Sequence, residues 1–341
     1  MTSAPGPARR RLAIATLVVV LLVAMMLAVG LGAVHITPGK VVGAITRGLS
    51  GSALGKADAV ILDLRLPRVI LAALVGAALA LAGVLYQALF KNPLADPYIL
   101  GVSAGAGLGA TIALVTVGTS FASRAFGVPA GAFAGALLTI AFVIRLASRA
   151  GRADTTSLLL AGVAISYTLA AITSFLLVVF RNSMQSVVFW MMGGLTSASW
   201  DYVGVVAAMF AVGAVLPALY SRELNIMLLG DERAGQLGVN VERFKLLVLA
   251  SASLVVAAAV SVSGLIGFVG LMTPHMARLV LGPDHKLLLP ASTLAGAIVM
   301  VLADLAARTV LAPVEIPVGI VTAVLGGPFF VWLLVRKKER R

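Results

Sequence analysis

Cysteine is absent from this 341-residue sequence, histidine occurs three times, and only 11% of the residues are charged. Without cysteine the chain has no disulfide, no thiolate metal site and no cysteine nucleophile. The histidines at positions 35, 275 and 285 are too few and too scattered for a zinc site. A phosphate-binding loop is also missing, because Gly55 and Lys56 are followed by Ala57, which lacks the required hydroxyl. We therefore expect no catalytic residue, no metal and no bound cofactor, and no ATP hydrolysis by this chain alone.

Hydrophobic residues make up 60% of the sequence, and the mean hydropathy is +1.07. A bilayer core requires about 20 apolar residues per helical span, and only helices satisfy the backbone of such a segment there. We therefore predict an all-α polytopic membrane protein with a single transmembrane domain over residues 1–341. The seventh and eighth spans are separated only by Ser263 and Gly264. The ten predicted spans are 12–33, 68–89, 99–117, 127–147, 157–180, 200–220, 244–263, 265–281, 287–307 and 317–335.

Positive charge sets the predicted orientation, because short cytoplasmic loops are enriched in lysine and arginine. With both termini in the cytoplasm, most of the 26 lysines and arginines fall on the inner side. The first apolar run follows Arg9–Arg11 and is interpreted as a span, since it is long for a signal peptide and no clear cleavage site follows. The net charge of +13 is explained by retention on the inner face and contact with anionic lipid, without nucleic acid.

Three segments between the predicted spans stand out. Residues 34–67 lie outside, and residues 91–97, which contain two prolines, form a turn on the inner side. Residues 221–243 are the longest polar stretch on the inner face, and we read them as two short helices around Gly230 with a stop at Gly238. A loop of this size suggests a cytoplasmic partner, although an ordinary connector is the alternative.

Acidic residues are scarce in the spans, where ion-coupled carriers usually place them. Asp304 alone falls clearly within a predicted span, and Arg308 at i+4 is its expected structural partner. The spans thus offer no energy-coupling chemistry, and the inner loop favours a pore that a separate ATPase drives. An ion-driven carrier or channel and a membrane enzyme are the alternatives.

Several sequence motifs occur in a fixed order along the chain. They are LRLPR at 64–68, QALFKNPLADP at 87–97, LGVSAGAG at 100–107, LLGDERAGQLG at 228–238, GFVGLMTPH at 267–275, DHK at 284–286 and EIPVGIVT at 315–322. From about residue 34 onward the sequence resembles the FecCD-type permeases. These are the membrane subunits of bacterial ABC importers for iron–siderophore complexes, haem and cobalamin.

The resemblance implies a cobalamin-importer-permease-like fold with about ten spans per subunit. It also implies a homodimer that works with two ATP-binding cassette subunits and a substrate-binding protein, in the bacterial inner membrane with both termini cytoplasmic. ATP and Mg²⁺ would be used by the partner ATPase. An iron complex, siderophore or haem, is favoured as substrate on family frequency, with cobalamin as the alternative. Tyr86 and Tyr167 are single and do not argue for haem ligation.

The same resemblance assigns site residues. Arg65, Arg68 and Arg308 would dock the binding protein, with interfacial anchoring as the alternative for Arg65 and Arg68. The remaining assignments are Asn92, Leu94, Thr155 and Thr156 for the inner gate, and Leu228, Leu229, Gly230, Asp231, Glu232, Ala234, Leu237 and Gly238 for contact with the ATPase. The two threonines are also read as the N-cap of the fifth span.

Overall fold

The computed structural model describes residues 7–32, 35–51, 53–116, 121–149 and 155–338. These residues form fifteen α-helices and no strand. The helices are α1 (Pro7–Gly30), α2 (Pro38–Ser50), α3 (Lys56–Ala59), α4 (Leu66–Leu89), α5 (Val102–Thr116), α6 (Phe121–Arg149), α7 (Thr155–Val179), α8 (Met184–Met191), α9 (Trp200–Leu219), α10 (Ser221–Met227), α11 (Asp231–Gln236), α12 (Val241–Ser263), α13 (Val269–Leu281), α14 (His285–Thr309) and α15 (Val318–Lys338). A π-helical turn, Val60–Arg65, joins α3 to α4, and a 3-10 turn, Arg181–Ser183, precedes α8.

The all-α polytopic prediction is confirmed, and each of the ten predicted spans coincides with one helix. Within the described ranges, seven helices are long and apolar enough to cross a membrane, and α5 and α15 are shorter apolar helices. The tenth, α13, has 13 residues. At about 1.5 Å per residue it covers only about 20 Å of a core that is about 30 Å thick.

The predicted span 265–281 is therefore wrong in its first part. Residues 264–268 are not helical, and Gly264 and Phe268 have φ angles of 66° and 69°. The Gly194 N–H donates to the Ser263 carbonyl at 2.8 Å, so this break packs against the loop that follows α8. The sequence did not predict α8, because eight residues are too few to produce a spanning signal.

Helix α4 lies at the centre of the bundle. Nearly all of its residues from Val75 to Leu89 are buried, and it packs against α9, α12, α13 and α14. By contrast α1, α7 and α15 expose long apolar faces. Since apolar side chains at the surface of a spanning helix face lipid or another helix, these three helices form the rim of the bundle.

Glycines allow α4 to touch its neighbours backbone to backbone. A Cβ atom added at Gly76 would overlap the carbonyl of Gly296 on α14, and one at Gly83 would overlap the carbonyl of Gly270 on α13. Small residues at such crossings are the usual means of close helix packing in lipid, where no hydrophobic effect drives the helices together. Gly76 and Gly83 thus lie at contact points between helices.

We predict that Gly83→Ala lowers the stability of the protein by about 1–3 kcal/mol, the typical cost of overpacking. The new methyl group must displace the Gly270 backbone. Gly107→Ala is the matched control, because Gly107 also lies in a helix and has open space at its Cβ position. The thermal unfolding midpoint in detergent measures both. A Gly83→Ala protein as stable as the control would contradict the proposed contact.

Candidate functional site

The first candidate region lies at the N-terminal end of α4, which is predicted to face outward. The guanidinium of Arg68 donates from Nε and Nη2 to Asp304 Oδ1, both at 3.0 Å, and from Nη1 and Nη2 to Glu315 at 3.1 and 3.0 Å. Asp304 also lies 3.1 Å from Arg308 Nε, which confirms the predicted i, i+4 pair. The Asp304 side chain is 1% exposed, so its charge is compensated by two arginines inside the protein.

Two arginines of this region also cap α1. Arg65 Nη1 donates to the Val29 carbonyl at 2.8 Å, and Arg308 Nη2 donates to the Ala28 carbonyl at 2.9 Å. The last carbonyls of a helix have no partner within the helix, so these bonds satisfy groups that would otherwise be orphaned. We call Arg65, Arg68 and Arg308 the outer arginine cluster. It joins α1, α4 and α14.

The outer arginine cluster is thus engaged within its own chain. The side chains of Arg68 and Arg308 are only 13% and 8% exposed. This geometry gives them a structural role, and docking of a binding protein stays a prediction. The sequence reasoning missed Glu315 as a partner of Arg68, since 247 residues separate the two.

The second region is the inner turn, residues 91–97. Its backbone is fixed locally, because Asn92 Oδ1 accepts from the Leu94 N–H at 2.9 Å and Asp96 Oδ1 accepts from the Tyr98 N–H at 2.8 Å. The Leu94 side chain is 52% exposed. The inner turn therefore offers an apolar side chain on a rigid loop, as a gate position would require, while the Asn92 side chain serves the turn itself.

Thr155 and Thr156 are the first two residues of α7. Both lie inside the helix, whereas an N-cap residue precedes it, so neither threonine is the predicted N-cap of the fifth span. Arg152 and the other residues at 150–154 lie outside the described part of the chain. Among the described residues no hydrogen bond joins either threonine to Asn92 or Leu94, so the structure does not assemble the four predicted gate residues into one contact.

The third region, residues 221–243, is predicted to face the cytoplasm, and we call it the cytoplasmic elbow. As predicted, it contains two short helices, α10 and α11, which meet at Gly230 with φ 108° and end at Gly238 with φ 87°. Both angles lie in the left-handed region, which glycine adopts without steric cost. The side chains of Leu228, Leu229 and Leu237 are 43%, 54% and 59% exposed. The elbow therefore presents apolar side chains at its surface, while Ala234 of α11 is buried.

Polar contacts anchor α10 to the bundle. Asn225 Nδ2 donates to Asp284 Oδ1 at 2.9 Å, and the His285 N–H donates to Asn225 Oδ1 at 2.9 Å. Arg10, at the start of α1, lies 2.9 Å from Asp284. Partial burial would raise the pKa of Asp284, but the hydrogen bond from Asn225 and the charge of Arg10 hold that pKa below its usual value. The carboxylate thus stays ionised and links α1, α10 and α14.

Two lysines anchor α11. Asp231, its first residue, accepts from Lys91 Nζ at 2.6 Å and also pairs with Lys245. Partial burial acts to raise the pKa of Asp231, and the two lysines outweigh it, so the pKa is lowered. Neither contact was predicted from the sequence, and the one between Lys91 and Asp231 joins residues 140 positions apart. Within the described ranges no group of three acidic or histidine side chains could hold a metal ion.

We predict that Asp304→Asn destabilises the protein by about 3–5 kcal/mol, because it leaves two arginines without a buried partner. Glu315→Gln is the matched comparison, since it removes a carboxylate from the same cluster at a 41% exposed position and costs about 0–1 kcal/mol. Unfolding midpoints of the purified proteins test the difference. Equal losses for the two variants would show that the buried carboxylate has no special weight.

Comparison with known proteins places this geometry in a family. The chain matches the FecCD transport family over residues 20–336. It is 46% identical over 285 residues to the cobalamin import system permease protein BtuC of Halobacterium salinarum, which covers 84% of this chain and 75% of that protein. It is 42% identical over 290 residues to the hemin transport system permease protein HmuU of Yersinia pestis, covering 82% and 84%.

The similarity extends to a third relative and to a solved structure. The Fe(3+)-citrate import system permease protein YfmE of Bacillus subtilis is 38% identical over 326 residues, with 96% and 95% of the two chains covered. An inward-facing structure, assigned by its description to the metal-chelate type of ABC transporter, matches with a TM-score of 0.83 at 30% identity, over 95% of this chain and 98% of that chain. This protein therefore belongs to the FecCD transport family, the membrane-embedded permease subunits of ABC importers.

Proposed function

We propose that two copies of this chain form the permease of an ATP-driven importer for an iron complex, either a siderophore or a haem complex. A substrate-binding protein delivers the complex from outside, and two separate ATPase subunits bind ATP and Mg²⁺ on the inner side. The observation that carries the proposal is the cytoplasmic elbow, which exposes three leucines on a short helix pair held firmly to the bundle. Exposed apolar side chains on a rigid support are typical of a docking surface.

Contacts on the elbow side support the proposed orientation. Arg10 at the start of α1 reaches Asp284 beside the elbow, so the N-terminal end of α1 lies on the same face. We place this face and both termini in the cytoplasm, in agreement with the bias of positive charge. The exposed apolar faces of α1, α7 and α15 contact lipid or the second copy.

In this proposal, movement of the ATPase subunits opens the pathway. When the ATPases close on ATP, they displace α10 and α11, and the spans joined to the elbow tilt so that the inner and outer mouths open in turn. The inner turn and the start of α7, with Asn92, Leu94, Thr155 and Thr156, close the inner mouth. On the outer side the docking protein meets the outer arginine cluster, where charge orients the partner and speeds encounter more than it adds affinity.

A weakly binding wall suits a large chelate. An open groove of about 490 Å³ runs beside α15, and it is lined by Met191, Met192, Leu265, Gly319, Ile320, Ala323 and Val324. Its side chains are apolar, so a bulky complex meets few groups that could trap it. We assign this groove to the pathway at the dimer axis.

The names of the relatives favour an iron complex as the substrate. Two of the three named relatives carry iron compounds in their names, hemin and Fe(3+)-citrate. Cobalamin is the second candidate, since the relative at 46% identity is a cobalamin permease. An ion-coupled carrier is disfavoured, because Asp304 is already neutralised by Arg68 and Arg308.

We predict that proteoliposomes containing this permease, its ATPase and its binding protein take up the iron complex only when ATP is hydrolysed. Uptake by a complex with a hydrolysis-dead ATPase is the control and should fall to background. Persisting uptake, or uptake driven by an ion gradient in the isolated chain, would contradict the proposal. Titration of the binding protein with iron chelates and cobalamin distinguishes the two substrate classes.

We also predict that Leu229→Ser combined with Leu237→Ser weakens binding of the ATPase by about 2–4 kcal/mol, the range for buried interface anchors. Leu49→Ser on α2 is the matched control, because Leu49 is 86% exposed on the opposite side of the membrane. Co-purification and titration of the ATPase measure the effect. Unchanged affinity of the double variant would show that the elbow does not bind the ATPase.

A further inference from the structure

Lys91, just after the end of α4, has an unusual backbone conformation. Lys91 has φ 49°, a left-handed conformation that non-glycine residues rarely adopt. Its N–H bonds to the Ala88 carbonyl at 3.3 Å, and the Asn92 N–H bonds to the Gln87 carbonyl at 3.2 Å. This pair of bonds is the Schellman motif, in which the left-handed position is usually occupied by glycine.

The elbow provides the comparison within the same protein. At the end of α11, the N–H groups of Gly238 and Val239 bond to the carbonyls of Gly235 and Ala234 at 3.0 and 3.1 Å, in the same pattern. There the left-handed position is a glycine, Gly238, with φ 87°. A lysine at the equivalent position of α4 therefore works against the backbone preference, and its side chain must supply the compensation.

The contact of that side chain is the ion pair with Asp231 at 2.6 Å. Asp231 is the first residue of α11, directly after Gly230, and its second oxygen pairs with Lys245 on α12. One carboxylate thus joins the elbow to Lys91, the first residue of the inner turn, and to a spanning helix. Since both of its oxygens are already paired within the chain, Asp231 is poorly placed to serve as a contact for the ATPase.

We propose that Asp231 is a positioning residue that carries displacement of α11 to the inner turn through Lys91. The inference rests on the proposed function and refines it, because it separates two roles within the elbow. The exposed leucines bind the motor, and the Asp231–Lys91 pair transmits the resulting movement to Asn92 and Leu94. The ion pair connects the carboxylate of α11 to the inner turn, so a shift of the carboxylate moves the turn with it.

The test uses the reconstituted complex of permease, ATPase and binding protein. Because the chain has no cysteine, Leu94→Cys provides a single labelling site in the inner turn for the labelling measurement, and ATPase binding and uptake are measured in proteins that keep Leu94. Lys91→Gly removes the charge and suits the left-handed backbone, so this variant is expected to fold. Asp231→Asn removes the charge from the other side, Lys91→Arg keeps the pair, and Lys286→Gln removes an unrelated exposed lysine of the inner face.

Three quantities are measured: binding of the ATPase, uptake per ATP hydrolysed, and the ATP-dependent change in labelling rate at position 94. For Lys91→Gly and Asp231→Asn we expect unchanged ATPase binding, a loss of about two- to fivefold in uptake per ATP, as for a partly exposed ion pair, and a smaller labelling change. The double variant should be no worse than Asp231→Asn alone, since both changes remove the same Asp231–Lys91 pair. Lys91→Arg and Lys286→Gln should behave like the native protein.

Native uptake per ATP in Lys91→Gly would overturn the inference and leave the proposed function intact. Weaker ATPase binding in Asp231→Asn but not in Lys91→Gly would also overturn it, because Asp231 would then be a motor contact. A native complex without ATP-driven uptake would overturn the proposed function itself. These outcomes are therefore distinguishable.

Discussion

Backbone contact between α4 and its neighbours is the constraint on which the rest of the bundle depends. At Gly76 and Gly83 the helix has no side chain, and the carbonyls of Gly296 and Gly270 occupy the space that a Cβ atom would need. Lipid supplies no hydrophobic force between helices, so such close packing must provide the attraction. With α13 and α14 fixed to α4 in this way, the outer arginine cluster and the inner turn fall at the two ends of one rigid unit.

Charge is arranged around this unit in a simple pattern. The middle of the bundle is apolar, and the polar contacts that join distant helices lie near its ends. On the outer side Asp304 gathers two arginines, and on the inner side Asp284 and Asp231 each link a part of the elbow to spanning helices. The carboxylates of this protein thus hold helices together, which is consistent with a permease that takes its energy from another subunit.

Hydropathy was sufficient to place each of the ten predicted spans on a helix, because the bilayer permits only helices there, but it extended one span over the non-helical residues 265–268. The Asp304–Arg308 pair was also predictable, since residues four apart on a helix are neighbours. The contacts of Arg68 with Glu315 and of Lys91 with Asp231 cross 247 and 140 residues, and no local pattern encodes them. The sequence indicated a separation at Ser263 and Gly264 but not its extension to Phe268, and helix α8 is too short to produce a spanning signal.

The break at 264–268 interrupts the helical backbone between α12 and α13. No recorded backbone hydrogen bond connects the residues before Gly264 with those after Gly267, and the Tyr98 hydroxyl instead donates to the Ile266 carbonyl at 3.0 Å and accepts from its N–H at 3.3 Å. A phenol on a neighbouring segment thereby substitutes for the missing helical partners and keeps the polar backbone away from lipid. Helices α12 and α13 both pack against α4, so the break lets each of them follow its own direction along that central helix.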